Sequence, residues 1–292
     1  MVIVKLFGGL GNQMFQYAAG RSLSLRNNCP LKLDITHFDN KTLPNGLPYR
    51  SFDLSIFKAQ LNIATSKEIK KFFSSDSLFA KAAKKIDHLF NDYKLIHEPY
   101  FHFYPDLLKV KGNVYLEGYW QSEKYFKEYE DIIRNDFNID TTLGKEGEFL
   151  LKNIKDTNSV CLNIRRKEFA SNKYINQFVG SEYIYNAIEL MAKKVKDPHF
   201  YVFSDELDWV KSNIVIKYKH TIVEENLYGD RFRDCLLFMS SCKNFIIPNS
   251  TFGWWAAWLN NDPDKIVISP SDWLADKTKD TSDLILSEWI RL

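Results

Sequence analysis

From residue 159 onward, apolar positions follow two alternating rhythms. Short uncharged or nearly uncharged runs at 159–164, 199–203, 221–223, 244–247 and 265–268 have the length and residue content of strands. Between them, 182–195, 206–212, 230–241 and 251–259 space their apolar residues as helices do. Strand and helix in alternation predict a parallel sheet covered by helices on both faces. The first half begins in the same way. A strand is expected over 2–7 and a helix over 14–26, where Met14, Tyr17, Ala18, Arg21 and Leu25 share a spacing, and a second strand runs to Asp34. Regularity then falls away into a turn-rich stretch (Pro44-Asn45-Gly46 and Pro48), helical patterning within 67–90 and a strand at 114–117. The closing residues 284–292 read as a helix. Periodicity breaks across 140–158, and the boundary between two α/β domains, 1–150 and 151–292, is placed there.

Candidate chemistry gathers in three strand-to-helix loops. After the strand at 159–162 comes Asn163-Ile164-Arg165-Arg166-Lys167-Glu168-Phe169. Arginine grips phosphate oxygens two at a time, and open α/β sheets bind ligands at their carboxyl edge. The pair therefore suggests a diphosphate site with Glu168 beside it, a surface salt-bridge cluster being the plainer alternative. After the first strand stand Gly8-Gly9-Leu10-Gly11-Asn12-Gln13, which suit either a backbone cradle for a ligand or a tight turn. The run is neither a dinucleotide fingerprint nor a P-loop. After 244–247 stand Pro248-Asn249-Ser250-Thr251-Phe252-Gly253-Trp254-Trp255. Ser250 and Thr251 occupy N-cap positions, fitted to an anion or to ordinary capping, and the tryptophans read as core.

With these loops the chain resembles the inverting α-1,2-fucosyltransferases of glycosyltransferase family 11. The likeness runs through 8–17, 116–126, 163–169, 203–206 and 249–259. The chain departs from the family pattern in several places: among them Asn163 replaces a histidine, and Gly253 replaces a serine common before the Trp-Trp pair. Glu168 stands where the family has aspartate. The resemblance implies a GT-B-like fold, two Rossmann-like α/β domains facing across a cleft. Residues 1–150 would serve the acceptor and 151–292 would bind GDP-fucose. It also implies transfer of L-fucose from GDP-fucose to the 2-hydroxyl of a terminal galactose on a glycan, with inversion. The donor-binding set is then Gly9, Gly11, Asn12, Gln13, Arg165, Arg166, Asp205, Asn249, Ser250, Thr251 and Phe252. Asp205 would take the N–H edge of guanine. Arg165 would stabilise the leaving diphosphate, and Glu168 would either accept the proton of the acceptor hydroxyl or orient an arginine.

Bulk properties narrow the remaining classes. A chain of 292 residues with 45% hydrophobic and 26% charged content reads as globular, and a net charge of +2 argues against a dedicated nucleic-acid binder. No run approaches the length of a membrane span, and the start does not read as a signal peptide, so a cytoplasmic location is expected. Within 77–90, Lys81, Lys84 and Lys85 lie opposite Leu78, Phe79, Ala82, Ile86, Leu89 and Phe90. That pattern reads as a core-facing helix, with peripheral contact to an anionic membrane surface as the second reading. Cys29, Cys161, Cys235 and Cys242 lack a metal or redox spacing and read as reduced thiols. His97 and His102 are separated by Pro99, which excludes a helical zinc pair, and Asp262-Pro263-Asp264 reads as a turn. No metal and no cofactor are expected, GDP-fucose being a co-substrate. The rival readings are a glycoside hydrolase, which needs two flanking carboxylates, and a non-catalytic glycan-binding module using the aromatic stretch 99–104.

Overall fold

The computed structural model describes residues 1–39, 50–73, 92–166 and 180–292. The turn-rich stretch 44–48, the basic amphipathic stretch 77–90 and Lys167, Glu168 and Phe169 lie outside the described residues. Two compact units emerge: Met1–Asn138 with Ser282–Leu284, and Ile139–Thr281 with Ile285–Leu292. The division falls before residue 150 because a helix at Lys145–Asp156 packs on the first strand of the second unit. Both units are α/β and built on parallel sheets, the domain content expected of a GT-B protein.

The first unit carries β1 (Val2–Lys5), α1 (Leu10–Arg26), β2 (Leu31–Asp34), α2 (Ser66–Lys70), β3 (Tyr93–His97), β4 (Asn113–Glu117) and α3 (Glu130–Asp136). Its sheet order is β2-β1-β4-β3, parallel throughout. The chain leaves β1 toward β2 and later fills the other side, so the order reverses between β1 and β4. Helix α1 begins at Leu10, earlier than its apolar spacing suggests, because Gly9 serves as N-cap. It is also buried on nearly every face, including Gln13, Gln16, Ser22 and Ser24. The sheet covers one side, and short 3-10 turns pack against the helix elsewhere. That double cover is why its pattern is weakly amphipathic.

The second unit carries α4 (Lys145–Asp156), β5 (Asn158–Ile164), α5 (Ser181–Lys194), β6 (Pro198–Ser204), α6 (Leu207–Asn213), β7 (His220–Ile222), α7 (Arg233–Ser240), β8 (Asn244–Ile246), α8 (Thr251–Leu259), β9 (Val267–Ser269) and β10 (Ile290–Arg291). The order is β10-β9-β8-β5-β6-β7, again all parallel. Here the reversal falls between β5 and β8. Both faces of the central strands are covered, so β5 and β6 are buried almost along their whole length. The expected helix over 284–292 is corrected: Ile290 and Arg291 pair in parallel with Ile268 and Ser269 as an edge strand. Trp289 turns inward against Trp254, ring centroids 5.7 Å apart, and this anchor favours an extended end over a helix. Trp254, Trp255 and Trp258 are core, as their apolar context suggests.

Cys161, Cys235 and Cys242 are buried and free, and Cys29 is partly exposed and free. Asp262 accepts the backbone N–H of Asp264 at 2.9 Å, the side-chain-closed turn expected there. Among the described residues no helix is long and apolar enough to cross a membrane.

Candidate functional site

In the second unit the loops after β5, β6 and β8 emerge side by side at the carboxyl edge of the sheet. β6 ends at Ser204, whose backbone N–H and C=O are both engaged by the Tyr228 hydroxyl, at 3.1 and 3.0 Å. Burial, first, and the nearby thiol of Cys235 push the Tyr228 hydroxyl pKa upward, so the group stays a neutral donor and acceptor. The next residue, Asp205, is thereby held against the twin arginines. Its Oδ1 accepts the backbone N–H of Arg166 at 2.9 Å, and its Oδ2 faces Arg165 Nε at 3.5 Å. Glu206 accepts from Arg166 Nε at 2.8 Å, and the Arg166 guanidinium lies 3.7 Å above the Trp209 ring. The Arg166 guanidinium plane is therefore set by a carboxylate and an indole face, while Arg165 is paired with Asp205 by charge rather than by a hydrogen bond. Burial pushes the Cys235 thiol up, while the charge of Arg165 pulls it down.

Asp205 thus sits with the arginines, and a carboxylate edge for guanine would come from a residue already engaged in holding them. A cavity of about 620 Å³ adjoins this cluster, lined by Asp205, Glu206, Trp209, Lys211, Glu224 and Asn226 among others. Its size suits a nucleoside or a similar small molecule. Trp209 and Tyr228 carried no signal that marked them in the sequence, and Glu206, although inside the matched stretch 203–206, was given no role there. Trp209 lies four positions beyond Asp205 in a short helix, a hint only once the helix is known.

The loop after β8 delivers Asn249, Ser250, Thr251 and Phe252 to the same edge. Asn249 is buried and donates from Nδ2 to the Trp273 carbonyl at 3.1 Å. Ser250 is the N-cap of α8, but its side chain makes no capping bond. Thr251 and Phe252 open the helix half-exposed, and Phe252 meets Phe232 edge-on at 6.4 Å. Phe232 itself has a left-handed backbone, φ 60°, and is 53% exposed.

The first unit places Gly9, Gly11, Asn12 and Gln13 at the carboxyl end of β1. Gly8 needs its lack of a side chain: φ is +77° and a Cβ would stand 2.6 Å from Asn12 Nδ2. Gln13 is fully buried and works as a clamp. Its Nε2 donates to the carbonyls of Gly8 at 3.0 Å and Ser51 at 2.9 Å, while its Oε1 accepts from Asp53 N–H at 2.9 Å. That uses its amide for the loop itself. Asn12 Oδ1 accepts from Gln121 Nε2 at 2.9 Å, bridging the loops after β1 and β4 where the strand order reverses. Gly9 and Gly11 lie in and beside this turn. Glu98, Tyr119 and Trp120 complete the edge, and none of them stood out in the sequence as a site residue.

The class these features define is an α/β protein with polar loops grouped at the carboxyl ends of parallel strands. The chain belongs to glycosyl transferase family 11, whose model matches residues 1–292. It is similar to an Escherichia coli alpha-1,2-colitosyltransferase, 31% identical over 302 residues, covering 100% of this chain and 99% of the relative. It is also similar to the Escherichia coli O-antigen biosynthesis glycosyltransferase WbnK, 32% identical over 316 residues and covering 98% and 99%. A Caenorhabditis elegans galactoside 2-alpha-L-fucosyltransferase is 24% identical over 179 residues, 56% of this chain and 48% of that protein. Glycosyl transfer therefore stands over the hydrolase and binding-module readings.

Proposed function

We propose that this protein transfers L-fucose from GDP-fucose to the 2-hydroxyl of a terminal galactose on a glycan, inverting the anomeric centre. The observation that carries the reading is the Arg165–Asp205 and Arg166–Glu206 pairing in the loop after β5, the strand next to β8, whose own loop opens α8. Two guanidinium groups, that of Arg166 oriented by Glu206 and Trp209, and a helix N-terminus make a seat for a diphosphate. In a single displacement the acceptor oxygen bonds to the sugar's C1 as the C1–O bond to the diphosphate breaks. GDP departs, and the acceptor's proton passes to a base. Arg165 and Arg166 stabilise the charge gathering on the leaving phosphate, with Ser250, Thr251 and backbone N–H groups assisting. Glu168 is the base or the residue that orients an arginine. The adjoining cavity receives guanosine, with Asp205 at its rim.

A second donor has specific support, since the 31% identical relative that spans the whole chain is named a colitosyltransferase. Colitose is L-fucose without its 3-hydroxyl. Incubating the protein with GDP-fucose or GDP-colitose and a panel of galactose-terminated glycans, read by mass spectrometry, separates the two. A deoxyhexose mass increment with GDP-fucose supports the leading reading, transfer with GDP-colitose alone selects the alternative, and no transfer from either overturns both. The reading also holds that transfer needs no divalent cation, and activity in excess EDTA close to the untreated value is the expected result.

A further inference from the structure

Two positions at which this chain departs from the family pattern, 163 before the arginines and 253 before the tryptophans, meet in space. Asn163 lies near the end of β5 and is 7% exposed. Its Nδ2 donates to the Phe203 carbonyl at 3.4 Å, which directs Oδ1 the other way. That Oδ1 is buried and has no hydrogen-bond partner among the described residues. It points at Gly253, the third residue of α8, where a Cβ would stand 3.0 Å from it and 3.4 Å from Ile247 Cβ and Pro248 Cδ. Glycine is what leaves room for the amide oxygen in the first turn of the helix. The place is also the reversal of strand order between β5 and β8, where open parallel sheets offer a crevice to ligands.

A buried amide oxygen without a donor is costly and calls for a partner. It can accept only, so it does not bind a phosphate oxygen; it takes the hydrogen of a hydroxyl. The start of α8 has the opposite preference, since its N–H groups suit an oxyanion. A ligand that meets both carries a phosphate and a hydroxyl a few ångströms apart. We propose that Asn163 is a donor-specificity residue, its Oδ1 accepting a hydrogen bond from one hydroxyl of a nucleotide sugar whose phosphate rests at the start of α8. Gly253 is the positioning residue that keeps the oxygen there. The inference rests on the nucleotide-sugar reading. The hydroxyl belongs either to the transferred sugar or to the ribose, and the ligand series below distinguishes them.

The test is a cycle between ligand hydroxyls and the side chain, read by calorimetric binding without acceptor. The ligands are GDP-fucose, its monodeoxy analogues at carbons 2, 3 and 4, and the analogues lacking a ribose 2′- or 3′-hydroxyl. In the unaltered protein, loss of one hydroxyl weakens binding about 10-fold, and in Asn163→Ala the same loss costs less than about 3-fold. The position of that hydroxyl names the sugar or the ribose. Gly253→Ala, which crowds Oδ1, reduces the same coupling and carries the test if Asn163→Ala does not fold. Equal losses in all three proteins at every hydroxyl overturn the proposal and leave Asn163 a structural residue. An unaltered protein that binds neither GDP nor GDP-fucose overturns the nucleotide-sugar reading itself, and this inference with it.

Discussion

Glu98 holds Trp120 by its backbone: Oε1 accepts the Trp120 N–H at 2.8 Å while Oε2 accepts the Tyr119 N–H at 2.7 Å. Trp120 is fully buried with φ +56°, a left-handed conformation that bulky residues rarely adopt. The close approach of Glu98 Cβ to Gly118 makes the grip possible, since any side chain at 118 would collide with it. The strained turn lies next to Gln121, which reaches Asn12 in the glycine loop. Strain here is thus tied to the placement of a candidate substrate loop.

Glu98→Gln leaves one acceptor and sets an amide donor against a backbone N–H. Unfolding in urea is expected to show a loss of about 1–3 kcal/mol. An unchanged midpoint would mean the turn holds its shape without the carboxylate.

Gln13 carries three hydrogen bonds to backbone groups of Gly8, Ser51 and Asp53. Gln13→Leu keeps the bulk and removes all three, so a cost of at least about 2 kcal/mol is expected. Because the amide is committed to the loop, donor affinity measured on the folded fraction should fall through disorder of the glycine turn. Full stability with weakened GDP binding would instead assign Gln13 to the ligand directly.

Each arginine has a carboxylate beside it, so their value to a phosphate is direction as much as charge. Arg165→Lys is expected to lose on the order of 10²-fold or more in kcat/KM, because a point charge cannot replace a two-pronged donor. Trp209→Ala removes the ring beneath Arg166 and should weaken GDP binding about 10-fold at most; because the ring also packs on the core of the second unit, a loss of stability on the order of 1–3 kcal/mol is expected with it. Near-normal turnover in Arg165→Lys would reduce that residue to a source of charge.

Glu168→Gln separates the two roles left open for that residue. As a base, its loss lowers transfer by roughly 10²- to 10⁴-fold while calorimetric GDP affinity holds. As an orienting residue, its loss weakens GDP binding together with turnover. Unchanged activity and affinity exclude both.

Much of this protein was legible in its residues. The βα rhythm after 159 predicts the parallel sheet because a strand buried on both faces must be apolar throughout and its crossover helices amphipathic. The three loops were visible because glycine, arginine and hydroxyl side chains stand directly after apolar strands. The closing segment misled, since a short edge strand lacks room for a period and depends on a neighbour, β9, that the local sequence does not mention. Helix α1 misled at its start for a related reason: its buried glutamines look polar and therefore exposed until the loops that use their amides are in place. Sequence by itself determined most of the elements, the family and which residue types stand at the sheet edges, because these depend on short-range period, composition and motif. Tertiary structure alone decided the partnerships: Asp205 with Arg165 and Arg166, Trp209 beneath a guanidinium, Glu98 with Trp120, Asn163 facing Gly253. Those pairs join residues from different loops or strands, and their meeting follows from strand order and register, which no local pattern encodes.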